Sequence, residues 1–422
     1  MPSFKIVTLG CKVNSYESQA IREILINNHY IENDNPDVVI INTCAVTSMA
    51  EHKSRQKVSS LAKKYPSSTI VVCGCSSQLH KDNYKSINGV NIIIGNNNHS
   101  EIIELLNSFN NDKKQIVKVD TSTRLRTYQN LKISSFDEKI RAFVKIGDGC
   151  NNFCSYCIIP FTRGNLRSRD KDEILCEIKT LVNNGYKEIV LTGIDSASYG
   201  YEFENYKFND LLKDIIKIDE LKRLRISSIE ASQIDDEFID ILKSSKIVTP
   251  HLHIPLQSGC DSVLQRMRRK YTCEEFYNKI KKIKDEIPNI ALACDVIVGF
   301  PGETEEEFTA TYEFIKKCGF AFLHVFPYSP REGTLASTMD NQISNSIKKQ
   351  RVNTLIELGK KLNYEYQLKF IGKKVNVLIE SYNSKTNLYH GLTDNYLSCY
   401  IESENNLINQ FVEYSYILID ND

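Results

Sequence analysis

The sequence lacks the features of a membrane or secreted protein. It contains no run of about eighteen apolar residues, which excludes a transmembrane helix. Its start, MPSFKIVTLG, has no basic stretch followed by an apolar signal core and continues directly into a predicted strand. We therefore expect a cytoplasmic protein, in which thirteen cysteines are more typical of metal or redox chemistry than of disulfides.

An excess of charge of either sign is also lacking. Lys plus Arg and Asp plus Glu both number 53, so the net charge neither favours nor excludes binding of nucleic acid. Hydrophobic residues make up 41% of the chain and charged residues 25%, which is typical of a globular protein. Because 422 residues are too many for one ordinary core, we expect two or three domains.

The first predicted domain, residues 1–120, alternates strands and helices, which indicates a parallel sheet of the flavodoxin or Rossmann type. Cys11, Cys44 and Cys75 each follow a different predicted strand, at its carboxyl end. Ligands bind at that edge of open parallel sheets, so we expect these three cysteines to lie together in space. For each one alone, a buried structural cysteine is the alternative.

The rest of the chain divides into three predicted parts. Residues 121–139 are polar, lack clear periodicity and are predicted to form a linker. Residues 140–368 alternate six strands with helices, for example at 172–184 and 273–286, which predicts a partial TIM-type (β/α)6 barrel with its chemistry at the carboxyl ends of the strands. Residues 369–422 show short strands and polar turns, which predicts a small all-β barrel. The predicted fold class is therefore α/β with an all-β appendage.

A second, tight set of cysteines follows the first strand of the predicted barrel. Cys150, Cys154 and Cys157 form the pattern C-x3-C-x2-C in DGCNNFCSYC. This spacing lets one loop hold three irons of a four-iron cluster and leaves the fourth iron free to bind a ligand. Zinc is the alternative, but its further ligands usually come from a second C-x2-C or a His pair, and neither follows within about forty residues.

The tight set resembles that of the radical S-adenosylmethionine (SAM) superfamily. Both cysteine sets and the motifs between them resemble, over nearly the whole chain, the methylthiotransferases, which put a methylthio group on tRNA or on a ribosomal protein. LGCKVN resembles the branch that acts on N6-threonylcarbamoyladenosine at position 37 of tRNA, beside the anticodon. The branch that acts on isopentenyladenosine more usually has Gln-Met after this cysteine. The motifs occur in this order: LGCKVN, INTCAVT, CGCSSQ, DGCNNFCSYCIIPFTRG, LTGID, RISSIE, HIPLQSG, MRRKYT, DVIVGFPGET and FPYSPREGT.

The resemblance implies two 4Fe-4S clusters and SAM as cofactors. The catalytic cluster would be held by the tight set, Cys150, Cys154 and Cys157, and its open iron would bind SAM, which one electron cleaves to a 5′-deoxyadenosyl radical. The auxiliary cluster would be held by Cys11, Cys44 and Cys75 and would bind the sulfur to be transferred. Cys73 could compete as a ligand, but the family pattern favours the cysteine that follows Gly74.

The resemblance also implies residues that contact SAM. Tyr156 would lie near the adenine, the backbone at Gly193 near the methionine group, and Glu230 near the ribose. Gln257, its neighbour Ser258 and Asp295 are expected to face the mouth of the barrel. The alternatives are a tyrosine that fills the loop, an ordinary turn at the glycine and a glutamate in a salt bridge. The predicted cofactor-binding residues are Tyr156, Gly193, Glu230, Gln257 and Asp295.

Local basic clusters are the candidates for binding RNA phosphates, with a solvated charge run as the alternative. By resemblance the C-terminal segment is a TRAM domain, an RNA-binding barrel. From residue 367 to 422, however, it has four lysines and no arginine against seven acidic residues. We therefore expect much of the phosphate binding to come from the barrel and its exit helix. The predicted RNA-binding residues are Arg163, Arg266, Arg268, Arg269, Lys348 and Lys349.

Together these observations predict a monomeric cytoplasmic enzyme, a transferase of alkylthio groups acting on tRNA. It would replace the C2–H of N6-threonylcarbamoyladenosine by C–S–CH3, with one SAM as radical source and another as methyl donor. A low-potential electron donor, flavodoxin or ferredoxin, would be its partner. The alternatives are methylthiolation of isopentenyladenosine or of a ribosomal-protein aspartate, and a metal-stabilised RNA-binding protein without catalysis.

Overall fold

The structure is a computed structural model that describes residues 1–120, 127–136 and 140–418. It contains a parallel N-terminal sheet, an open parallel barrel and an antiparallel C-terminal sheet, in chain order. This architecture confirms the predicted fold class. The predicted linker lies partly outside the described residues. Its described part, 127–136, buries Leu131, Ile133 and Phe136 in the core of the barrel, which the polar composition of the segment did not indicate.

The N-terminal sheet has six parallel strands: β1 (Ser3–Thr8), β2 (Ile31–Glu32), β3 (Val38–Thr43), β4 (Thr69–Gly74), β5 (Val90–Ile94) and β6 (Ile116–Lys118). Their order in the sheet is β2-β1-β3-β4-β5-β6. This is the order of a flavodoxin-like doubly wound sheet, in which the winding reverses between β1 and β3. Ligands bind at the carboxyl edge next to such a reversal.

Helices cover both faces of this sheet: α1 (Lys12–Asn27), α2 (Ser48–Lys64), α3 (Cys75–Leu79), α4 (Lys81–Lys85) and α5 (Ile102–Asp112). Successive side chains of a strand point to opposite faces. In β3, Val38 and Ile40 therefore pack against α1 and α5, whereas Val39 and Ile41 pack against α2. Helix α2 begins where the Thr47 hydroxyl accepts a hydrogen bond from the N–H of the third residue after it, a common N-cap.

The barrel is built from the parallel strands β7 (Arg141–Lys145), β10 (Glu188–Thr192), β11 (Arg223–Ile226), β12 (His251–His253), β13 (Ala291–Val298) and β14 (Phe322–Pro327). Isolated bridges join β11 to the β12 region, so the six strands follow one another in chain order. A short antiparallel pair, β8 (Gly147–Asp148) and β9 (Arg167–Ser168), follows β7. This is the predicted open barrel of six strand–helix units.

The barrel helices are α6 (Ile159–Arg163), α7 (Lys171–Asn183), α8 (Phe208–Ile216), α9 (Asp236–Ser244), α10 (Asp261–Arg266), α11 (Cys273–Glu286), α12 (Glu305–Cys318) and the exit helix α13 (Asn345–Leu368). Capping boxes begin α11 and α12, since Thr272 and Thr304 each exchange hydrogen bonds with a glutamate three residues later. Helix α11 has the bounds that the sequence predicts, and α7 begins one residue earlier than predicted. No described helix combines the length and the apolar composition that crossing a bilayer requires.

Helix α1 joins the N-terminal sheet to the barrel. Its residues Ile21 and Leu25 pack on the sheet, whereas Tyr16 and Ala20 belong to the core of the barrel. The Tyr16 hydroxyl donates a hydrogen bond to the carbonyl oxygen of Leu131 (2.7 Å). Because α1 begins directly after Cys11, its packing against the barrel places this cysteine beside the barrel.

The C-terminal sheet is antiparallel, with the order β17-β16-β15-β18, and consists of β15 (Lys374–Asn383), β16 (Leu388–Thr393), β17 (Ser398–Glu402) and β18 (Phe411–Ser415). Arg225 of β11 donates hydrogen bonds to the carbonyl oxygens of Thr393 and Asp394, both at 2.6 Å. Arg223 likewise donates to the carbonyl oxygen of Leu392 (3.0 Å). The sheet therefore closes the end of the barrel where the strands begin, opposite the tight cysteine set.

Candidate active site

The tight cysteine set lies on the loop between β8 and α6, at the carboxyl end of β7. Gly149 has a φ of +74°, and a Cβ there would lie 2.0 Å from a backbone carbonyl oxygen, so the turn requires glycine. The N–H of Cys150 donates to Gly164 O (3.2 Å) and that of Cys157 to Cys154 O (3.0 Å). Burial raises the pKa of Cys150 and of Cys157 to about 12, so these thiols ionise readily only when a metal compensates their charge.

These three thiols border a cavity of about 920 Å³ at the carboxyl ends of the barrel strands. Small-molecule sites usually enclose roughly 300–1,000 Å³, so this cavity can hold a cofactor of nucleoside size together with part of a substrate. All five residues with a predicted contact to SAM line it: Tyr156, Gly193, Glu230, Gln257 and Asp295. The structure thus brings these residues together, and their individual roles stay predictions.

Glu230 and Arg269 form an ion pair beside the tight set. Arg269 Nη2 donates to Glu230 Oε2, and Arg269 Nη1 lies 3.3 Å from the sulfur of Cys154. Burial raises the pKa of Glu230, and the guanidinium of Arg269 offsets only part of this. The Arg269 side chain is only 5% exposed, so the prediction that it binds RNA is wrong. It is instead a cavity residue that the motif MRRKYT brings to the cysteine loop.

A second carboxylate, Asp195, lies on the other side of the same loop. Its Oδ2 accepts hydrogen bonds from Asn152 Nδ2 (3.2 Å) and Ser198 Oγ (2.9 Å) and lies 3.7 Å from the sulfur of Cys150. The side chain of Gln233 donates to the other oxygen (3.1 Å). These bonds fix Asp195 against the cysteine loop, although the sequence alone gave it no role.

Gln257 reaches the cavity from a left-handed backbone conformation, with a φ of +66°. Its N–H donates to Asp295 O (2.8 Å) and its carbonyl accepts from the N–H of Ile297 (2.9 Å), so β13 holds it in place. A non-glycine residue in this region is strained, and such residues cluster at functional sites. Ser258, in contrast, is fully buried with its hydroxyl 3.1 Å from Thr311 Oγ1 on α12. The prediction that Ser258 faces the mouth of the barrel is therefore wrong.

The dispersed cysteines lie at the carboxyl edge of the N-terminal sheet, next to the reversal of the winding. Cys11 follows β1, Cys44 follows β3 and Cys75 follows β4, and these three strands are neighbours. A Cβ on Gly10 would lie 3.2 Å from the sulfur of Cys44, which places that thiol against the residue before Cys11. Burial raises the pKa of Cys75 to about 12; Arg163 counteracts this rise, and the nearby thiols of Cys11 and Cys44 add to it.

The backbone conformation of Gly74 determines which cysteine of the CGC motif lies at this edge of the sheet. It has a φ of +97°, and a Cβ there would lie 2.4 Å from both Asn42 Oδ1 and Thr43 O. The turn at Gly74 ends β4 and begins α3 with Cys75. Cys73 stays inside the strand, fully buried in the apolar core between the sheet and helices α1 and α5. This arrangement supports Cys75 as the third member of the set.

Replacing Gly74 by alanine is expected to displace the backbone at Cys75 and to reduce the iron content by about half, from about eight to about four irons per chain. The reason is the steric clash of the added Cβ with Asn42 and Thr43. Iron analysis and visible absorbance after anaerobic reconstitution measure the effect. Gly185→Ala is the matched control, since Gly185 has a similar φ of +93° but nothing within 4 Å of an added Cβ. Full iron content in Gly74→Ala would contradict this account.

The dispersed set reaches the same cavity through Cys11, which lines it together with the tight set. Val46, which follows Cys44 by two residues, also lines it. Ser227 Oγ is buried in the cavity wall and has no hydrogen-bond partner among the residues that the structure describes, so it can bond a molecule held there. Soft thiolate ligands suit the irons of iron–sulfur clusters. The residues therefore fit the two clusters and the SAM that the resemblance implies.

Within residues 1–120, 127–136 and 140–418, no three His, Cys, Asp or Glu side chains lie close enough to share one metal ion. Thiolates bound to one zinc ion each lie about 2.3 Å from it and are therefore close neighbours. Thiolates on three irons of one cubane lie further apart.

A buried network of charges lies between the two sets. Glu17 Oε1 lies 2.8 Å from Lys145 Nζ and 2.7 Å from Arg163 Nη1, and Asp148 Oδ2 lies 2.7 Å from Lys145 Nζ. Arg163 Nη2 also donates to Asn14 Oδ1 (3.1 Å), three residues after Cys11. Arg163 is fully buried, so the prediction that it binds RNA is wrong. The sequence shows its charge but not the carboxylates that surround it.

The other predicted RNA contacts divide by exposure. Arg266 pairs with Glu307 on α12, with N–O distances of 2.7 and 3.0 Å. Lys348 is buried and lies over the ring of Tyr328, so the prediction that it binds RNA is wrong. Arg268 and Lys349 are exposed. The predicted RNA-binding role of Arg266, Arg268 and Lys349 stays a prediction.

Two family models match the chain. One, described as the Radical SAM superfamily, matches residues 144–315, and the other, described as Uncharacterized protein family UPF0004, matches residues 3–95. The first match contains the tight cysteine set and the second contains the dispersed set.

Curated relatives match the chain over nearly its whole length. Threonylcarbamoyladenosine tRNA methylthiotransferase MtaB of Bacillus subtilis (strain 168) is 42% identical over 413 residues, which are 96% of this chain and 92% of the relative. The tRNA-2-methylthio-N(6)-dimethylallyladenosine synthase of Acetivibrio thermocellus is 36% identical over 96% of this chain and 86% of the relative. Among solved structures, the radical SAM methyltransferase TsrM of Kitasatospora setae matches with a TM-score of 0.56 at 14% identity, over 77% of this chain and 73% of that chain. This structural likeness shows the fold alone.

Proposed function

The chain belongs to the radical SAM tRNA methylthiotransferases, and we propose that it adds a methylthio group at C2 of N6-threonylcarbamoyladenosine, next to the anticodon of tRNA. The relatives named as threonylcarbamoyladenosine tRNA methylthiotransferases support this substrate, since they are up to 42% identical to the chain. Two 4Fe-4S clusters, held by the tight and the dispersed cysteine sets, belong to the proposal.

One observation carries it: Cys11 of the dispersed set lines the same cavity as the tight set. Methylthiolation of a carbon requires hydrogen removal and sulfur delivery at the same atom. A base in a cavity that is lined by the tight set and by Cys11 can meet both cysteine sites without leaving the cavity. When bound, the clusters and SAM supply the radical, the sulfur and the methyl group.

The chain itself positions these groups and excludes water. Burial of Cys75, Cys150 and Cys157 keeps the thiols in a site of low polarity. The ion pair between Glu230 and Arg269 holds a carboxylate at the cavity wall, where it can accept a hydrogen bond from a ribose hydroxyl. At the opposite end, Tyr396 of the C-terminal sheet lines the cavity. A partly enclosed site limits the access of solvent to a reactive radical.

The partners of the enzyme follow from this chemistry. A low-potential donor, flavodoxin or ferredoxin, supplies the electron that cleaves SAM, and the enzyme acts as a monomer. The C-terminal sheet serves as a TRAM-like RNA-binding module. The exposed Arg268 and Lys349 contact tRNA phosphates.

Deleting the gene is expected to remove 2-methylthio-N6-threonylcarbamoyladenosine from tRNA and to leave its precursor in its place. Mass spectrometry of nucleosides from total tRNA measures both, and the gene carried on a plasmid should restore the product. Loss of the methylthiolated dimethylallyladenosine instead would assign the chain to the other tRNA branch. Unchanged tRNA, with a lost methylthio group on a ribosomal protein, would contradict the proposed substrate class.

A further inference from the structure

The part of the cavity that lies away from the tight set is basic and aromatic. It extends through the inside of the barrel to the C-terminal sheet, where Phe322 and Tyr396 line it. The basic residues along this part are Lys12, Arg141, His251, His253 and His324. Which of them carries an uncompensated charge decides what this part of the cavity can bind.

Arg141 is compensated by carboxylates. Its Nε lies 2.8 Å from Glu380 Oε1, on the C-terminal sheet, and 3.7 Å from Glu188 Oε1, at the start of β10. Its guanidinium also lies 5.8 Å from the ring centre of Tyr396. Arg141 therefore belongs to the contact between the barrel and the C-terminal sheet.

The histidines add no free positive charge. His253 Nε2 and His324 Nδ1 lie 2.9 and 4.0 Å from the carboxylate of Asp295, which offsets any charge they take up. His251 is buried against Tyr396, with ring centres 4.4 Å apart. Burial, together with the nearby guanidinium of Arg225, lowers the pKa of His251 well below its usual value, so this ring is neutral.

Lys12 is the exception among these residues. It begins α1 directly after Cys11 and lines the cavity. Among residues 1–120, 127–136 and 140–418, its ammonium group has no hydrogen bond or ion pair. Lys12 is exposed and lines the cavity, so its ammonium group is free to pair with an anionic group of a bound molecule.

We propose that Lys12 binds the carboxylate on the N6 substituent of the substrate adenosine and selects the threonylcarbamoyl group over apolar substituents. This inference rests on the proposed function. C2 and C6 flank N1 on one edge of adenine, so a base that presents C2 to the dispersed cysteines brings its N6 substituent to the same region. The rings of Tyr396 and Phe322 give the rest of the substituent an apolar surface. An apolar substituent would not form this ion pair with Lys12, so the enzyme would bind it more weakly than the carboxylate.

The test compares two substrates in the reconstituted holoenzyme. One is full-length tRNA with N6-threonylcarbamoyladenosine, and the other is the same tRNA with the threonyl carboxylate converted to its methyl ester. We expect the unaltered enzyme to prefer the carboxylate by roughly 10- to 100-fold in kcat/KM. Lys12→Gln should reduce this preference to about one, and Lys12→Arg should keep most of it.

Lys53→Gln is the control, because Lys53 is an exposed lysine on α2 that does not line the cavity. Lys53→Gln should leave the ratio of the kcat/KM values for the two substrates unchanged, even if it weakens tRNA binding. A wild-type preference retained in Lys12→Gln would overturn the inference. If Lys12→Gln keeps the preference and also loses iron, the inference is overturned and Lys12 instead serves the neighbouring cluster. Failure of the unaltered enzyme to modify the natural tRNA, with SAM cleavage intact, would overturn the proposed function as well.

Discussion

Replacing Cys150, Cys154 and Cys157 by alanine is expected to abolish the cleavage of SAM and to leave about four irons per chain. These thiols share one loop, and none of the dispersed cysteines lies on it. Removing them therefore removes one cluster, and the N-terminal sheet keeps the other. Release of 5′-deoxyadenosine after reduction by dithionite, together with iron analysis, measures both effects.

Two further variants show whether the effect belongs to this loop. Cys176→Ala replaces an exposed thiol on α7 outside the cavity and should leave iron content and SAM cleavage unchanged. Replacing Cys11, Cys44 and Cys75 together should give the reciprocal result, in which SAM is still cleaved but no methylthiolated nucleoside forms. Cleavage of SAM by the variant without the tight set would contradict its assignment as the radical site.

The arrangement of the sheets could be predicted because the sequence repeats one pattern. Apolar strands with cysteines or polar residues at their carboxyl ends alternate with amphipathic helices, and a parallel sheet brings such ends together. Helix α11 has the predicted bounds because Thr272 and Glu275 form a capping box that fixes its first turn. The segment 127–136 could not be predicted in the same way, since the partners of its apolar residues lie elsewhere in the chain.

The residues of the candidate site could be predicted where a residue type has few structural roles. They could not be predicted where the role of a side chain depends on which other side chains lie next to it. Cysteines at strand ends and a glycine such as Gly74 have restricted roles, and the structure places them as expected. Arginines have many uses. The sequence favours RNA binding for Arg163 and Arg269 because their carboxylate partners, Glu17 and Glu230, are 146 and 39 residues away in sequence. Charge is visible in a sequence, but its compensation is a property of the fold.

Replacing Arg163 by methionine is expected to destabilise the protein by about 3–5 kcal/mol, because it leaves the buried Glu17 with one cation instead of two. Burial alone would raise the pKa of Glu17, but Arg163 and Lys145 outweigh it and lower the pKa. The same two cations outweigh burial at Asp148. Denaturation by urea under anaerobic conditions, followed by circular dichroism, measures the change in the free energy of unfolding. Arg268→Met, at an exposed arginine, should change it by less than about 0.5 kcal/mol.

The pH dependence identifies the cause of that loss. In the unaltered protein the pKa values of Glu17 and Asp148 lie below their ordinary values of about 4, so their stabilising effect is complete above about pH 4 and is lost only as the pH falls further. Without Arg163 the carboxyl groups are less compensated, their pKa values rise, and protonation relieves part of the penalty. The difference in stability between the two proteins should therefore be larger at about pH 7.5 than at about pH 5. An equal difference at both values would show that lost packing, and not unpaired charge, causes the destabilisation. Since Arg163 also bonds Asn14 beside Cys11, we expect the variant to lose iron from the dispersed set before it loses iron from the tight set.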